Sequence, residues 1–329
     1  MSKRSLLLII TLCCLASSPG VGIPEELRLP PGKASFPPEV LEKLGAQFPE
    51  KPSLPTDLAA LTASYPGFCL GLELRQDRKL YLIMKNQVKI VYDDGLVKSF
   101  EEKLQRPDLK DMLAQLYQPG RSQEPFRPDY DPGRCRVDAF FTAVYGASAS
   151  EVKGNLVPVP FCGATVWFNA QNGAARALES VGRELAALLA KRPQWRQYLF
   201  PLGGSFLWRN IAGTSRLSPH SWGTALDLNP RYGPYWRDRK TGGVEVEAMR
   251  NHYPQEIVDL FEKHGFIWGG KWSHYDLMHF EYRPELLRKW QLSRMTGRPT
   301  ASLGSPWAHL TLNPATPPLF SRPPVLSEP

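Results

Sequence analysis

Two short stretches hold the side chains best suited to chemistry. In SPHSWGTALDLNP, residues 218–230, His220 and Asp227 stand seven positions apart with Gly223 and small residues between them. In WGGKWSHYDLMHFEY, residues 268–282, Asp276 and His279 stand three apart. An ionised carboxylate held away from water must be paired or must ligate a metal. Taken alone, the first stretch leaves two readings open, a metal-ligand pair or an aspartate salt-bridged to Arg209 or Arg216, and for an isolated motif the salt bridge is favoured. The second stretch shifts the balance. Two histidines and one carboxylate, His220, Asp227 and His279, make a three-ligand zinc (Zn2+) site with an open fourth position, the arrangement of catalytic rather than structural zinc. Asp276 is then the spare carboxylate that can take a proton from the bound water.

Strands must carry these groups. Gly223 permits a bend after His220, and the following strand sends Leu226 and Leu228 to one face and Ala225 and Asp227 to the other. Residues 276 and 279 would face opposite ways on one continuous strand, so Asp276 belongs to the loop before it. Strand-like pieces fall at residues 165–168, 224–228 and 278–282. Helical periodicity places Leu178, Val181, Leu185, Leu188 and Leu189 on one face, with Asn172 as the cap and Pro193 as the stop. A second helix opens at Pro254, buries Ile257, Val258 and Phe261, and ends at Gly265; a third opens at Pro284. Residues 78–95 read as a hairpin turning near Asn86, and residues 99–118 as a mostly exposed helix.

The expected class is therefore α+β, a small mostly antiparallel sheet flanked by helices, with extended Pro-rich N- and C-terminal segments. Residues 23–58 hold eight prolines and read as extended chain lying over the surface, and residues 299–329 hold another eight and read as a tail without its own core. The expected organisation is a signal peptide over 1–22, an N-terminal region over 23–125, a catalytic domain over 126–292 and a tail over 293–329. Lys3 and Arg4 before the apolar run at 6–15 suggest a secretory leader, hence an extracytoplasmic location, with a retained anchor as the competing reading. No later segment approaches a membrane span. The chain has 329 residues, 42% of them hydrophobic, enough for a sizeable core. Its net charge of +8 comes without a basic run interleaved with aromatics, which argues against nucleic acid. Cys69, Cys135 and Cys162 follow the leader; Cys135 with Cys162 is the pairing expected, three free thiols the alternative.

Ser218, His220, Gly223, Ala225 and Asp227 complete an S-x-H-x-x-G-x-A-x-D motif, and Asp276 with His279 a D-x-x-H motif. Together they resemble the LAS zinc peptidases, named for lysostaphin, D-alanyl-D-alanine carboxypeptidases and the Sonic hedgehog domain, and most closely the D-alanyl-D-alanine carboxypeptidase and L-alanyl-D-glutamate endopeptidase branch (VanY-like). The likeness covers roughly residues 130–290. It implies zinc bound by His220, Asp227 and His279, with Asp276 as general base. The family's acid is Glu in many D,D-carboxypeptidases and Asp in several endopeptidases, so Asp276 leans toward an endopeptidase. The family also holds a substrate carboxylate with an arginine upstream of the first motif. Arg209 and Arg216 are available, and Arg209 is preferred because Arg216 sits so near the metal ligands. Ser218 and His274 complete the substrate-binding candidates; His274 could polarise the scissile carbonyl or be a plain surface histidine. Glu281 is open to a hydrogen bond with His279 or a salt bridge with Arg283 or Arg288. Secretion and peptidase chemistry together point to peptidoglycan stem peptides as the partner. Two rivals stand beside this: a zinc-containing binding module, as in the hedgehog branch, and a metal-free wall-binding protein.

Overall fold

The computed structural model describes residues 29, 35–121, 127–237 and 243–296. The expected signal peptide over 1–22 and nearly all of the expected tail over 293–329 therefore lie outside the described residues. In chain order the elements are α1 (Pro38–Gln47), α2 (Leu54–Ser64), β1 (Cys69–Leu74), β2 (Leu80–Met84), β3 (Lys89–Val91), α3 (Phe100–Gln105) and α4 (Leu109–Leu113). Then come α5 (Asp138–Tyr145), α6 (Ala149–Asn155), β4 (Leu156–Phe161), β5 (Ala164–Asn169), α7 (Ala174–Lys191) and α8 (Arg196–Leu199). The last are β6 (Ala225–Asp227), α9 (Gly243–His252), α10 (Gln255–Lys263), β7 (Phe266–Trp268), β8 (His279–Tyr282) and α11 (Pro284–Thr296). The class is α+β, and the strands form three small antiparallel sheets, ordered β1-β2-β3, β4-β5 and β6-β8-β7.

The third sheet positions the site. β8 lies in its middle, buried on both faces, and its register sets His279 directly opposite Asp227 and Glu281 opposite Ala225. Paired residues of this kind share a face with their side chains in reach of one another. The opposite face of β8 is apolar. Phe280 stacks on Phe261 of α10 with centroids 4.0 Å apart, and Ile257 and Val258 of the same helix are fully buried. α7 buries Leu178, Val181 and Leu185 as its periodicity requires, and Pro193 follows its end. Its cap is Gly173 in the left-handed region, not Asn172; the Asn172 amide instead donates to the Ser64 carbonyl at 3.0 Å. α10 and α11 open after Pro254 and at Pro284 as expected.

The larger departures are N-terminal. Within residues 23–58, expected as extended chain, α1 forms and α2 begins, because Pro38 and Pro55 occupy first-turn positions where a missing N–H removes no helical bond. α2 is buried along most of its length and packs against α11. Its Leu58 is fully buried, so Leu58→Ala should lower unfolding free energy by about 2–5 kcal/mol, measured by denaturant titration. The hairpin at 80–91 turns at Asn86, whose Oδ1 accepts the Val88 N–H at 3.2 Å, and β1 adds a third strand. The stretch at 99–118 is two helices broken at Pro107, each with its own capping box, and α4 buries Leu109, Met112 and Leu113 rather than exposing them.

Cys135 and Cys162 are not paired; Cys69, Cys135 and Cys162, the cysteines among the described residues, are all free. Cys135 Sγ faces the Lys103 carbonyl at 3.2 Å, while Cys162 Sγ, at the β4–β5 turn, faces the Gly182 carbonyl on α7 at 3.5 Å. Burial raises both thiols, to about 12 and about 11, so neither is a ready thiolate. No helix among the described residues is long and apolar enough to cross a membrane.

Candidate active site

His220 sits on a single 3-10 turn, residues 219–222, that ends at Gly223 with φ +64°. A Cβ there would meet Leu156 Cδ2 at 2.5 Å, so both the backbone angle and the space call for glycine. β6 starts two residues later and delivers Asp227 across from His279. Three ligand atoms converge. His220 Nε2 lies 3.3 Å from His279 Nδ1 and 3.2 Å from Asp227 Oδ2, and His279 Nδ1 lies 2.8 Å from Asp227 Oδ1. Donors bound tetrahedrally at 2.0–2.2 Å would be separated by roughly 3.3–3.6 Å, so little movement is needed to take a zinc ion.

The two rings are already oriented for that task. His220 Nδ1 is 2.9 Å from the Ser205 carbonyl, and a ring N–H donating there leaves the Nε2 lone pair free. His279 Nε2 is 3.4 Å from Glu281 Oε2, which leaves Nδ1 as the ligand atom. Burial alone would raise the Asp227 carboxyl, but His220 and His279 reverse this and hold it well below the usual carboxylate range. A hard or borderline cation therefore fits the donor set: two imidazoles, one ionised carboxylate, largely shielded from water.

Asp276 lies in the loop before β8, as strand parity required, and is bridged to Tyr235. Its N–H donates to Gly269 O at 3.0 Å and its own carbonyl accepts from His279 N at 3.1 Å. Gly269 makes this approach possible, since a Cβ there would stand 2.6 Å from the Asp276 carbonyl oxygen. Asp276 Oδ1 is buried and has no hydrogen-bond partner among the described residues. Burial, with the Asp227 charge adding to it and His279 opposing, pushes the Asp276 pKa up to about 7. An acid poised near neutrality, beside a metal-ready trio, can both accept and return a proton.

Residues 212–282 match the family model for D-alanyl-D-alanine carboxypeptidase. The matched segment contains all three converging side chains and Asp276, together with Arg216 and His274; Arg209 and the elements before β6 precede it. Comparison with curated proteins and with solved structures finds no match.

Within and around the matched segment the remaining candidates separate. Arg209 is exposed, and its backbone is what engages the site's support: its N–H donates to Ser221 Oγ at 2.9 Å and its carbonyl accepts from Ser221 Oγ and from Ser218 N. Ser218 is buried at the start of the turn that carries His220. Arg216 is half-buried, donates from Nη1 to the Arg134 carbonyl at 3.2 Å, and leaves Nε buried without a partner. Burial, then the neighbouring Arg136 charge, pulls its pKa down to about 10. Arg134, whose guanidinium lies 5.0 Å over the Trp272 ring and whose charge reaches Asp276, also leaves Nε unpartnered. His274 does not join the trio. Its Nδ1 is 2.5 Å from Asp131 Oδ2, its N–H donates to Asp131 Oδ1, and its ring lies against Phe100 and Trp236. Trp222 is core, packed on Phe141, whereas Trp272 backs His279 with centroids 5.7 Å apart. Glu281 takes both of its readings at once, bonding His279 and pairing with Arg283 and Arg136. Sequence reading missed Arg134, Arg136, Asp131 and Ser205; in DYDPGRCR only the density of charge in a Pro-Gly turn hinted at the first three.

Proposed function

We propose that the protein is a zinc-dependent peptidase acting on peptidoglycan stem peptides, as a D,D-carboxypeptidase or an L-alanyl-D-glutamate endopeptidase. The observation that carries this is the convergence of His220 Nε2, Asp227 and His279 Nδ1 within 2.8–3.3 Å, with Asp276 beside them. Zinc bound by these three would supply an acidified water and a polarised peptide carbonyl. Asp276 would be the group that accepts a proton from the attacking water and returns it to the leaving amine. Glu281 and the Ser205 carbonyl keep the two imidazoles in ligand geometry. Arg216, with an Nε that has no partner among the described residues, offers the substrate carboxylate a half-buried cation, a role for which exposed Arg209 is less suited.

Arg216→Lys should therefore lower kcat/KM by about 1.5–3 kcal/mol, roughly 10- to 150-fold, because lysine cannot form the parallel pair of hydrogen bonds. Arg209→Lys should change it by less than about 0.5 kcal/mol, as for ordinary surface substitutions. The reverse ranking, from steady-state kinetics on both variants, would hand the anchoring role back to Arg209. A non-catalytic zinc module of the same fold is the second reading, and the buried, unpartnered carboxylate oxygen of Asp276 speaks against it.

Digestion of purified muropeptides, with product masses determined, tests the function. Loss of a terminal alanine means carboxypeptidase action, and separation of alanine from the glutamate-linked remainder means endopeptidase action. Intact muropeptides after incubation with zinc-loaded protein would overturn the proposal. An extracytoplasmic location, supported by Lys3 and Arg4 before the apolar run at 6–15, would place the protein with this substrate; recovery of the native protein in the cytoplasmic fraction alone would exclude it.

A further inference from the structure

A run of buried charges leads away from the zinc-ready trio and ends on a helix that the carboxypeptidase match does not include. Glu281 Oε2 faces His279 Nε2 at 3.4 Å and accepts from Arg136 Nη1 at 3.1 Å. Its other oxygen accepts from Arg283 Nη1, also at 3.1 Å. Arg283 uses Nε to reach Glu285 Oε1 at 2.5 Å, and Glu285 Oε2 accepts the Tyr65 hydroxyl at 2.7 Å. Tyr65 caps the C-terminus of α2, some 220 positions earlier in the chain. Tyr65, Arg283 and Glu285 are fully buried, and Glu281 and Arg136 nearly so.

We propose that Tyr65, Glu285 and Arg283 are positioning residues for the metal ligand His279, acting through Glu281, so that the N-terminal helical segment completes the zinc site. This rests on the zinc reading above. Glu281 is the carboxylate that holds His279 with Nδ1 turned to the metal. The Arg283 guanidinium is a rigid planar fork shared between two carboxylates, so its place on Glu281 depends on how Glu285 is held. The Tyr65 hydroxyl holds the second Glu285 oxygen. Without it, Glu285 draws more on the shared guanidinium, Arg283 shifts off Glu281, and the His279 ring loses its fixed setting. Buried polar chains transmit such shifts because each member lacks water as a substitute partner.

The same α2–α11 contact contains a matched control. Tyr92 donates to Asp57 Oδ2 on α2 at 2.7 Å, and Asp57 Oδ1 pairs with Lys289 on α11 at 2.6 Å; among the described residues neither pair bonds to His279 or Glu281. Tyr65→Phe and Tyr92→Phe each remove one buried hydroxyl from the contact. Zinc affinity of the full chain, read by competition with a chromophoric chelator, should fall about tenfold for Tyr65→Phe, the low end of the range for partners of metal ligands. Glu281→Gln should fall by up to about 100-fold, the top of that range. Tyr92→Phe should lower the melting temperature to a similar degree as Tyr65→Phe while leaving zinc affinity unchanged. Unchanged affinity in Tyr65→Phe, or an equal loss in both tyrosine variants, would overturn the proposal with the zinc reading intact. A wild-type chain that binds no zinc would overturn both.

Discussion

Asp276→Asn should lower kcat by about 10²- to 10⁴-fold, the usual contribution of a positioned general acid or base, while zinc stoichiometry stays at that of the wild type. The two readouts separate because Asp276 is held next to the trio without belonging to it. Its backbone is fixed by Gly269 and His279, whereas its Oδ1 has no partner among the described residues. Asparagine keeps the shape and the backbone bonds and removes the proton acceptor. The pH profile should report the same group. Burial, reinforced by Asp227, pushes the Asp276 pKa up to about 7 in the metal-free chain, and a bound dication beside it would favour the carboxylate and move the value down. Activity should therefore be lost as pH falls through a value at or below about 7, and the Asn variant should lack that acid limb. Near-wild-type turnover by Asp276→Asn, measured on zinc-loaded protein with a stem peptide, would remove Asp276 from the mechanism.

Chelation should abolish activity altogether and stoichiometric zinc should restore it, whereas His279→Ala should lose metal and activity together. The energetics of reloading give a sharper check. Burial works against a charged His279, but its hydrogen bonds to Asp227 and Glu281 outweigh that and push its pKa up to about 10. Because this value stands above the ordinary histidine value, the metal-free chain holds the proton throughout the neutral range and releases it only as pH approaches 10. Zinc must displace that proton to reach Nδ1. Apparent affinity should rise by about tenfold per pH unit between roughly pH 7 and 9, and binding should release about one proton per site. Calorimetry in buffers of different ionisation enthalpy measures that release. A pH-independent affinity over this interval would show that His279 is neutral before the metal arrives.

The sequence by itself determined the trio, and it could do so because the information is local. One glycine-terminated turn sets His220 relative to Asp227, and period-2 alternation decides which side chains of β6 and β8 share a face. The same parity placed Asp276 in the loop ahead of β8. The elements of the matched segment were equally legible, since Phe261, Val258 and Ile257 lie on one helical face with Pro254 before them and Gly265 after. What failed to show in the sequence were the features that depend on neighbours far along the chain. Prolines at 38 and 55 read as breakers until tertiary packing, α1 on α2 and α2 on α11, stabilised the helices they start. Cys135 and Cys162 could have met on spacing alone, but α3 and α7 claim their thiols separately. The sequence favoured Arg209 over Arg216 for the anchoring role; only the fold decided that Arg209 is exposed and Arg216 half-buried beside Arg134 and Arg136, with an Nε that has no partner among the described residues. Glu281, Arg283, Glu285 and Tyr65 likewise became one connected set only when α2 docked. Desolvation is the physical reason for the divide: ligand spacing follows from backbone geometry over a few residues, whereas which charges lose water, and which partners then satisfy them, is set by the whole packed chain.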